Sequence, residues 1–195
     1  MCKDRPPLER AIEFHGHICP GLLMGVRVAE FAQKFLGVDQ DRDEELLAIL
    51  EHSSCGADAI QAILGCTFGK GNLIFKDYGK QVYTIVSREK NRAVRISHKL
   101  GSRSGSKNDR YRELAGMEVL TPEEADELED LRAFMFEDIM TRPFESLFEY
   151  REVPFEAPAK ARIYPSVKCE VCGEGVMEPR ATKTETGWIC MECMA

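Results

Sequence analysis

The chain has 195 residues, 44% apolar and 30% charged, with a formal net charge of −7. That composition excludes a wholly disordered or collagen-like chain, and no apolar run approaches the roughly 18 residues that a membrane span needs. The negative balance argues against nucleic acid and membrane as general partners, and the length predicts one domain of about 100 to 160 residues with a small appendage. The first residues, MCKDRPPLER, lack the apolar core of a signal peptide, so the expected compartment is the cytoplasm. In a reducing compartment, eight cysteines point to metal ligation or thiol chemistry rather than to disulfides.

In chain order, Pro20 opens an apolar series, Leu22, Leu23, Val26, Ala29, Ala32 and Phe35, whose spacing predicts a helix with one buried stripe, ended by Gly37. Leu46 to Leu50 reads as a short strand, and Cys55 to Leu64 as a second helix ending at Gly65. Val82 to Val86 and Ala93 to Ile96 are β-branched and aromatic runs that predict paired strands. Gly101 to Asp109, GSRSGSKND, has loop composition. Thr121-Pro-Glu-Glu124 then supplies a cap, a first-turn proline and a capping-box glutamate for a helix from Pro122 to about Asp138. The expected fold class is α+β: a core at 1–153 with a small antiparallel or mixed sheet packed on helices, a proline-marked linker at 154–165, and a zinc finger at 166–195.

Charge is segregated along the chain. Residues 87–112 hold nine Lys or Arg against Glu89 and Asp109, a net of +7, while residues 113–156 hold fourteen acids against Arg132, Arg142 and Arg151, a net of −11. The two zones are either solvated faces or partners for each other, within or between subunits.

The C-terminal cysteines carry the strongest chemical pattern. Cys169-x-x-Cys172 and Cys190-x-x-Cys193 lie 17 residues apart, the spacing of two knuckles that close four thiolates around one structural Zn²⁺. Gly173 suits the turn after the first pair, and Trp188 is the only indole available to cover so small a core. So short a module cannot fold on apolar burial alone, so metal binding supplies its folding free energy. Lys168, Arg180 and Lys183 stand against Glu170, Glu174, Glu178, Glu185 and Glu192, which argues for a structural or protein-contact role over DNA binding.

Toward the N-terminus, His15-Gly-His17-Ile-Cys19-Pro20 puts two imidazoles and a thiol immediately before a helix, where free N–H groups favour a thiolate. In an extended segment His15, His17 and Cys19 would point to one side. Cys55 and Asp58 sit at i and i+3 at the start of another helix. The expected core site is a second Zn²⁺ or other transition metal held by His17, Cys19 and Cys55, with Asp58 and Lys70 nearby. Gly65-Cys66-Thr-Phe-Gly-Lys70-Gly71 is glycine-rich but lacks the P-loop spacing and follows a helix, not a strand, so it is no nucleotide cradle. Should the core be catalytic, the candidates are Cys19, Cys55, Asp58, Cys66 and Lys70. His52 and His98 are surface or core histidines before they are site residues, and Cys2, near the terminus, is left out of the site.

The FHGHICPG run, the Cys55-Gly-Ala-Asp-Ala-Ile-Gln61 helix, the GCTFGKGNL loop and the terminal four cysteines resemble the E-type subunit family of formylmethanofuran dehydrogenase over nearly the whole chain. The resemblance implies an α+β core paired as a homodimer, an auxiliary treble-clef finger, and occurrence both in methanogens and in microbes without methanogenesis. It also implies that His17, Cys19, Cys55, Asp58, Cys66 and Lys70 line a cleft, and that the pterin-metal chemistry of the dehydrogenase belongs to its other subunits.

Three functions follow as expectations. The first is a metal-binding accessory protein that supports a molybdenum- or tungsten-dependent formyl oxidoreductase, with that enzyme's subunits as partners. The second is a stand-alone enzyme that uses a His/Cys-bound metal with an open coordination position. The third is a DNA-binding regulator, kept open by the basic stretch and opposed by the charge of the finger. A homodimer is expected through the core, because Leu128, Leu131, Phe134, Met135 and Ile139 form a helical stripe that needs a covering surface.

Overall fold

A computed structural model describes residues 5–156, 158–160 and 162–195; Cys2 lies outside them. The chain divides into two compact units, residues 1–160 and 161–195. Among the described residues no helix is long and apolar enough to cross a membrane.

The larger unit is a mixed five-stranded sheet with helices packed on it, an α+β fold. Its elements are α1 (Pro7–His15), α2 (Pro20–Leu36), β1 (Leu46–Leu50), α3 (Gly56–Ala59) running into a π-helical turn (Ile60–Leu64), β2 (Leu73–Phe75), β3 (Val82–Ser87), β4 (Arg92–His98), α4 (Ser106–Ala115), α5 (Pro122–Thr141), α6 (Phe144–Leu147) and β5 (Phe148–Glu152). The strand order is β2-β1-β3-β4-β5. Only β1 and β2 run parallel; the other neighbours are antiparallel. Side chains alternate across the sheet as the pleat requires. Leu46, Ala48 and Leu50 of β1, Tyr83 and Ile85 of β3, and Val94 and Ile96 of β4 join α2, α3 and α6 in the main core. Leu47, Ile49, Val86 and Ala93 form a smaller cluster with Ile74, Val153 and Phe155.

Helix α2 is the spine, burying the predicted Leu22, Leu23, Val26, Ala29 and Ala32 and leaving Phe35 half-buried. Its approach to α3 is a backbone contact. A methyl at Gly25 would lie 2.5 Å from the Gly56 carbonyl oxygen, and one at Gly56 would lie 2.2 Å from the Tyr83 hydroxyl. Only glycine lets the two helix starts come this close, and that closeness brings Cys19 and Cys55 together.

The expected strands at 46–50, 82–86 and 93–96 and the helices at 20, 55 and 122 all form, and Thr121 and Glu124 make both halves of the capping box. The loop expected over 101–109 is corrected at its end: α4 begins at Ser106, where its polar face meets α5 and Arg110 makes a two-pronged pair with Glu127. Sequence patterning also leaves out α1, β2 and β5, the last because its Phe148–Glu152 run is exposed after the first residue. The basic and acidic zones pair within the chain, through Arg110–Glu127 and Arg92–Glu152. The α5 stripe is likewise covered from within, since α5 packs on α2 and α4. Leu128, Met135 and Ile139 are buried there, and Phe134 is exposed beneath the Lys107 ammonium at 3.7 Å.

The smaller unit has two hairpins, β6 (Ser166–Lys168) with β7 (Gly175–Met177) and β8 (Ala181–Thr184) with β9 (Gly187–Cys190), followed by α7 (Met191–Met194). Its four cysteines are gathered as a small zinc finger requires.

Candidate metal and thiol sites

In the finger, one ligand atom from each of Cys169, Cys172, Cys190 and Cys193 lies within 4.8 Å of all the others. The first pair sits on a tight turn. The Gly173 amide donates to the Cys169 carbonyl at 2.9 Å, and Gly173 has φ +78°, a conformation that other residues adopt only with strain. The second pair flanks the start of α7, and the Cys190 amide donates to the Cys169 sulfur at 3.5 Å. Donation from the Cys172 and Cys190 amides pulls the Cys169 thiol down to about 6, while hydrogen bonding to Cys190, with burial, pushes Cys193 up to about 12. Four sulfurs gathered within 4.8 Å of one another suit a soft or borderline cation.

The core site is built where α1 ends and α2 begins. Gly16 closes α1 in a left-handed conformation, so His15 is the last helical residue, and Cys19 is the extended N-cap of α2. The Cys19 sulfur accepts from the Leu22 amide at 3.4 Å. His15, His17 and Cys19 each offer a ligand atom within 4.8 Å of the other two, with His17 exposed and the other two half-buried. The His15 and His17 rings are 4.5 Å apart. The turn between two helices, rather than the extended run expected from the sequence, gathers them.

Asp58 fixes the role of His15. The Nδ1–H of His15 donates to Asp58 Oδ2 at 2.7 Å, which leaves Nε2 with its lone pair 3.8 Å from the Cys19 sulfur. Gln61 donates to the other Asp58 oxygen at 3.3 Å and accepts from the Phe68 amide at 3.4 Å, tying the glycine-rich loop to the site. Cys55 lies alongside: a methyl at Gly21 would be 3.7 Å from the Cys55 sulfur and 4.0 Å from that of Cys19. Burial, then a hydrogen bond toward Cys19, pushes the Cys55 thiol up. The structure therefore groups His15 with His17 and Cys19, sets Cys55 beside Cys19, and places Asp58 behind His15.

Lys70 and Cys66 belong to a different polar centre. Lys70 pairs with Asp41 at 2.5 Å, and Asp41, with no exposed side chain, also accepts from Asn72 and from the Leu46 and Glu44 amides. Burial opposes its charge, but the Lys70 and amide hydrogen bonds prevail and hold the carboxyl below the usual range. Cys66 is fully buried, and that burial pushes its thiol up to about 12, the behaviour of a small hydrophobe. His52 accepts from the Ser54 amide at 3.2 Å and packs on Tyr83, whose ring also stacks with His98. Burial, with the charges of His52 and Arg103, brings His98 down to about 4.

Sequence reasoning passed over Gln61 and the helix that ends at His15. The second was readable: Pro7 at the first helical turn and Gly16 just past the end are the usual punctuation of a helix.

An α+β domain with an accessible histidine–cysteine group, followed by a four-cysteine finger, is the class of protein that these features define. Residues 14–149 match the family described as FmdE, molybdenum formylmethanofuran dehydrogenase operon, and the chain belongs to that family. It is 33% identical over 193 residues to a probable S-adenosyl-L-methionine-binding protein of Archaeoglobus fulgidus, a match that covers 95% of this chain and 52% of the relative. The chain thus spans about half the length of that curated relative. A tungsten formylmethanofuran dehydrogenase FmdE-like protein of Syntrophus aciditrophicus shares the fold, with a TM-score of 0.64 at 22% identity over 96% of this chain and 90% of the other.

Proposed function

We propose that the protein is a metal-binding accessory protein that supports a molybdenum- or tungsten-dependent formyl oxidoreductase, acting through metal handling or contact with that enzyme's subunits. The observation that carries this reading is the convergence of His15, His17 and Cys19 at an accessible helix start, with Asp58 on the far nitrogen of His15. A carboxylate on the outer nitrogen of an imidazole is the usual support of a metal-ligating histidine. Two imidazoles and one thiolate suit Zn²⁺ or a later first-row ion, and Cys55 stands beside Cys19 but outside the three-donor group. The finger holds one structural Zn²⁺ through Cys169, Cys172, Cys190 and Cys193 in this reading, and the core domain pairs as a homodimer.

Counting metal per chain tests it. The full chain should carry two equivalents, the His17→Ala, Cys19→Ser double variant one, and a Cys190→Ala, Cys193→Ala variant one. Equal metal in the first two proteins overturns the core site. A monomeric mass at micromolar concentration overturns the homodimer.

A second reading, a stand-alone metal-dependent enzyme, draws on the exposure of His17. Three protein donors at an accessible position leave room for water or a carbonyl oxygen on the cation. The name of the Archaeoglobus fulgidus relative adds S-adenosylmethionine as a ligand for calorimetric titration against the metal-loaded protein.

A further inference from the structure

The three-donor set leaves Cys55 outside it, although Cys55 is placed with care. Gly21, Gly25 and Gly56 together let its helix start approach that of α2, and a single methyl at Gly21 would touch both sulfurs, 3.7 Å from that of Cys55 and 4.0 Å from that of Cys19. Both cysteines are free and partly exposed. Cys19 has the surroundings of a reactive thiol: it caps a 17-residue helix, accepts the Leu22 amide at 3.4 Å and faces His15 Nε2 at 3.8 Å.

We propose that Cys19 and Cys55 form a redox-active dithiol that closes to a disulfide by exchange with a small-molecule disulfide, Cys19 attacking and Cys55 resolving. In the first step the Cys19 proton passes to His15 Nε2, with Asp58 holding the opposite nitrogen. The Cys19 thiolate attacks one sulfur of the reagent, whose S–S bond breaks, and the departing thiolate takes the proton from His15. In the second step the Cys55 sulfur attacks Cys19 in the mixed disulfide, and the second reagent thiol leaves with the Cys55 proton. Two protein thiols have then been oxidised by two electrons, and one disulfide has been reduced to two thiols. An accessible thiolate beside a second cysteine is the arrangement that redox sensors use. The dithiol does not depend on a core metal, but a cation held by Cys19 excludes the disulfide.

The test treats the chelated full chain with glutathione disulfide, quenches in acid and maps the cysteines by mass spectrometry. The parent should give a Cys19–Cys55 disulfide that dithiothreitol reverses, with no glutathione retained on either residue. Cys55→Ser should trap glutathione on Cys19, with Cys55→Ala as a second variant should the first misfold. His15→Asn should slow modification of Cys19 about tenfold, the loss expected on removing a thiol's base. Equal retention of glutathione on Cys19 in the parent and in both Cys55 variants overturns the proposal, and so does an unmodified Cys19. Zn²⁺ added before the oxidant separates the two ideas: if it gives no protection while the disulfide still forms, the core-metal reading fails and the dithiol stands.

Discussion

The finger and the core site use the same side chains on opposite terms. Among the described residues 162–195 only Cys169 is buried, so the finger's thiols stand in for a hydrophobic core. In the larger unit the core is already complete in α2, α3 and the sheet, and His15, His17 and Cys19 sit at the edge of that packing. Where the sulfurs are the fold, they are not free to react. Where the fold stands without them, they are free to exchange ligands, protons or electrons.

The largest effect should come from breaking the finger. Cys190→Ala removes one of four sulfurs while keeping the backbone amide that donates to Cys169, and the binding free energy of a structural zinc is on the order of 10 kcal/mol. Limited proteolysis should then degrade residues beyond 161 while the larger unit keeps its melting temperature, and a chelator should do the same to the parent. If the larger unit melts earlier in the variant, the two units are not independent.

Acid should invert the pattern, since the larger unit depends on imidazoles held neutral. His98 is lowered to about 4 by burial and neighbouring charge, against about 6.5 when unfolded. Between those values the unfolded chain binds the extra proton, so stability is full above pH 6.5 and falls as pH drops toward 4, by about 3 kcal/mol in all. Denaturant titrations of His98→Gln should show that slope flattened by nearly one proton in this window. An unchanged slope means that the depressed imidazole lies elsewhere, with His52, also lowered by burial, the next to substitute.

How far each region was legible follows from the range of its determinants. The four finger ligands are two short motifs, readable from spacing alone, and the helix at Pro20 announces itself through a local apolar stripe. The edge strand β5 does not, because Glu149, Tyr150, Arg151 and Glu152 are all largely exposed and its pairing with β4 is set fifty or more residues upstream. The core site falls between. His15, His17 and Cys19 are contiguous and conspicuous, but Asp58 reaches His15 across 43 residues, and Lys70 is drawn to Asp41 across 29. No local pattern marks either pairing, since each depends on how α3 and the loop before β2 return to the sheet.

The subtlest difference between the sites is the support behind their ligands, and Asp58→Asn probes it. In the finger the sulfurs are oriented by backbone amides, which no side-chain substitution removes. In the core His15 is oriented by one carboxylate at 2.7 Å. An amide in its place either accepts from Nδ1 more weakly, leaving Nε2 available, or turns its NH₂ toward the ring and drives the proton to Nε2, the wrong tautomer for a ligand or base. Loss of such a supporting carboxylate typically costs 10- to 100-fold in metal affinity, or about 1.4 to 2.7 kcal/mol. Competition with a fluorescent chelator should therefore show the core metal released at correspondingly lower chelator concentration, with finger zinc and melting temperature unchanged. A core affinity equal to that of the parent means that His15 is not a ligand, and leaves His17, Cys19 and Cys55 as the set to test.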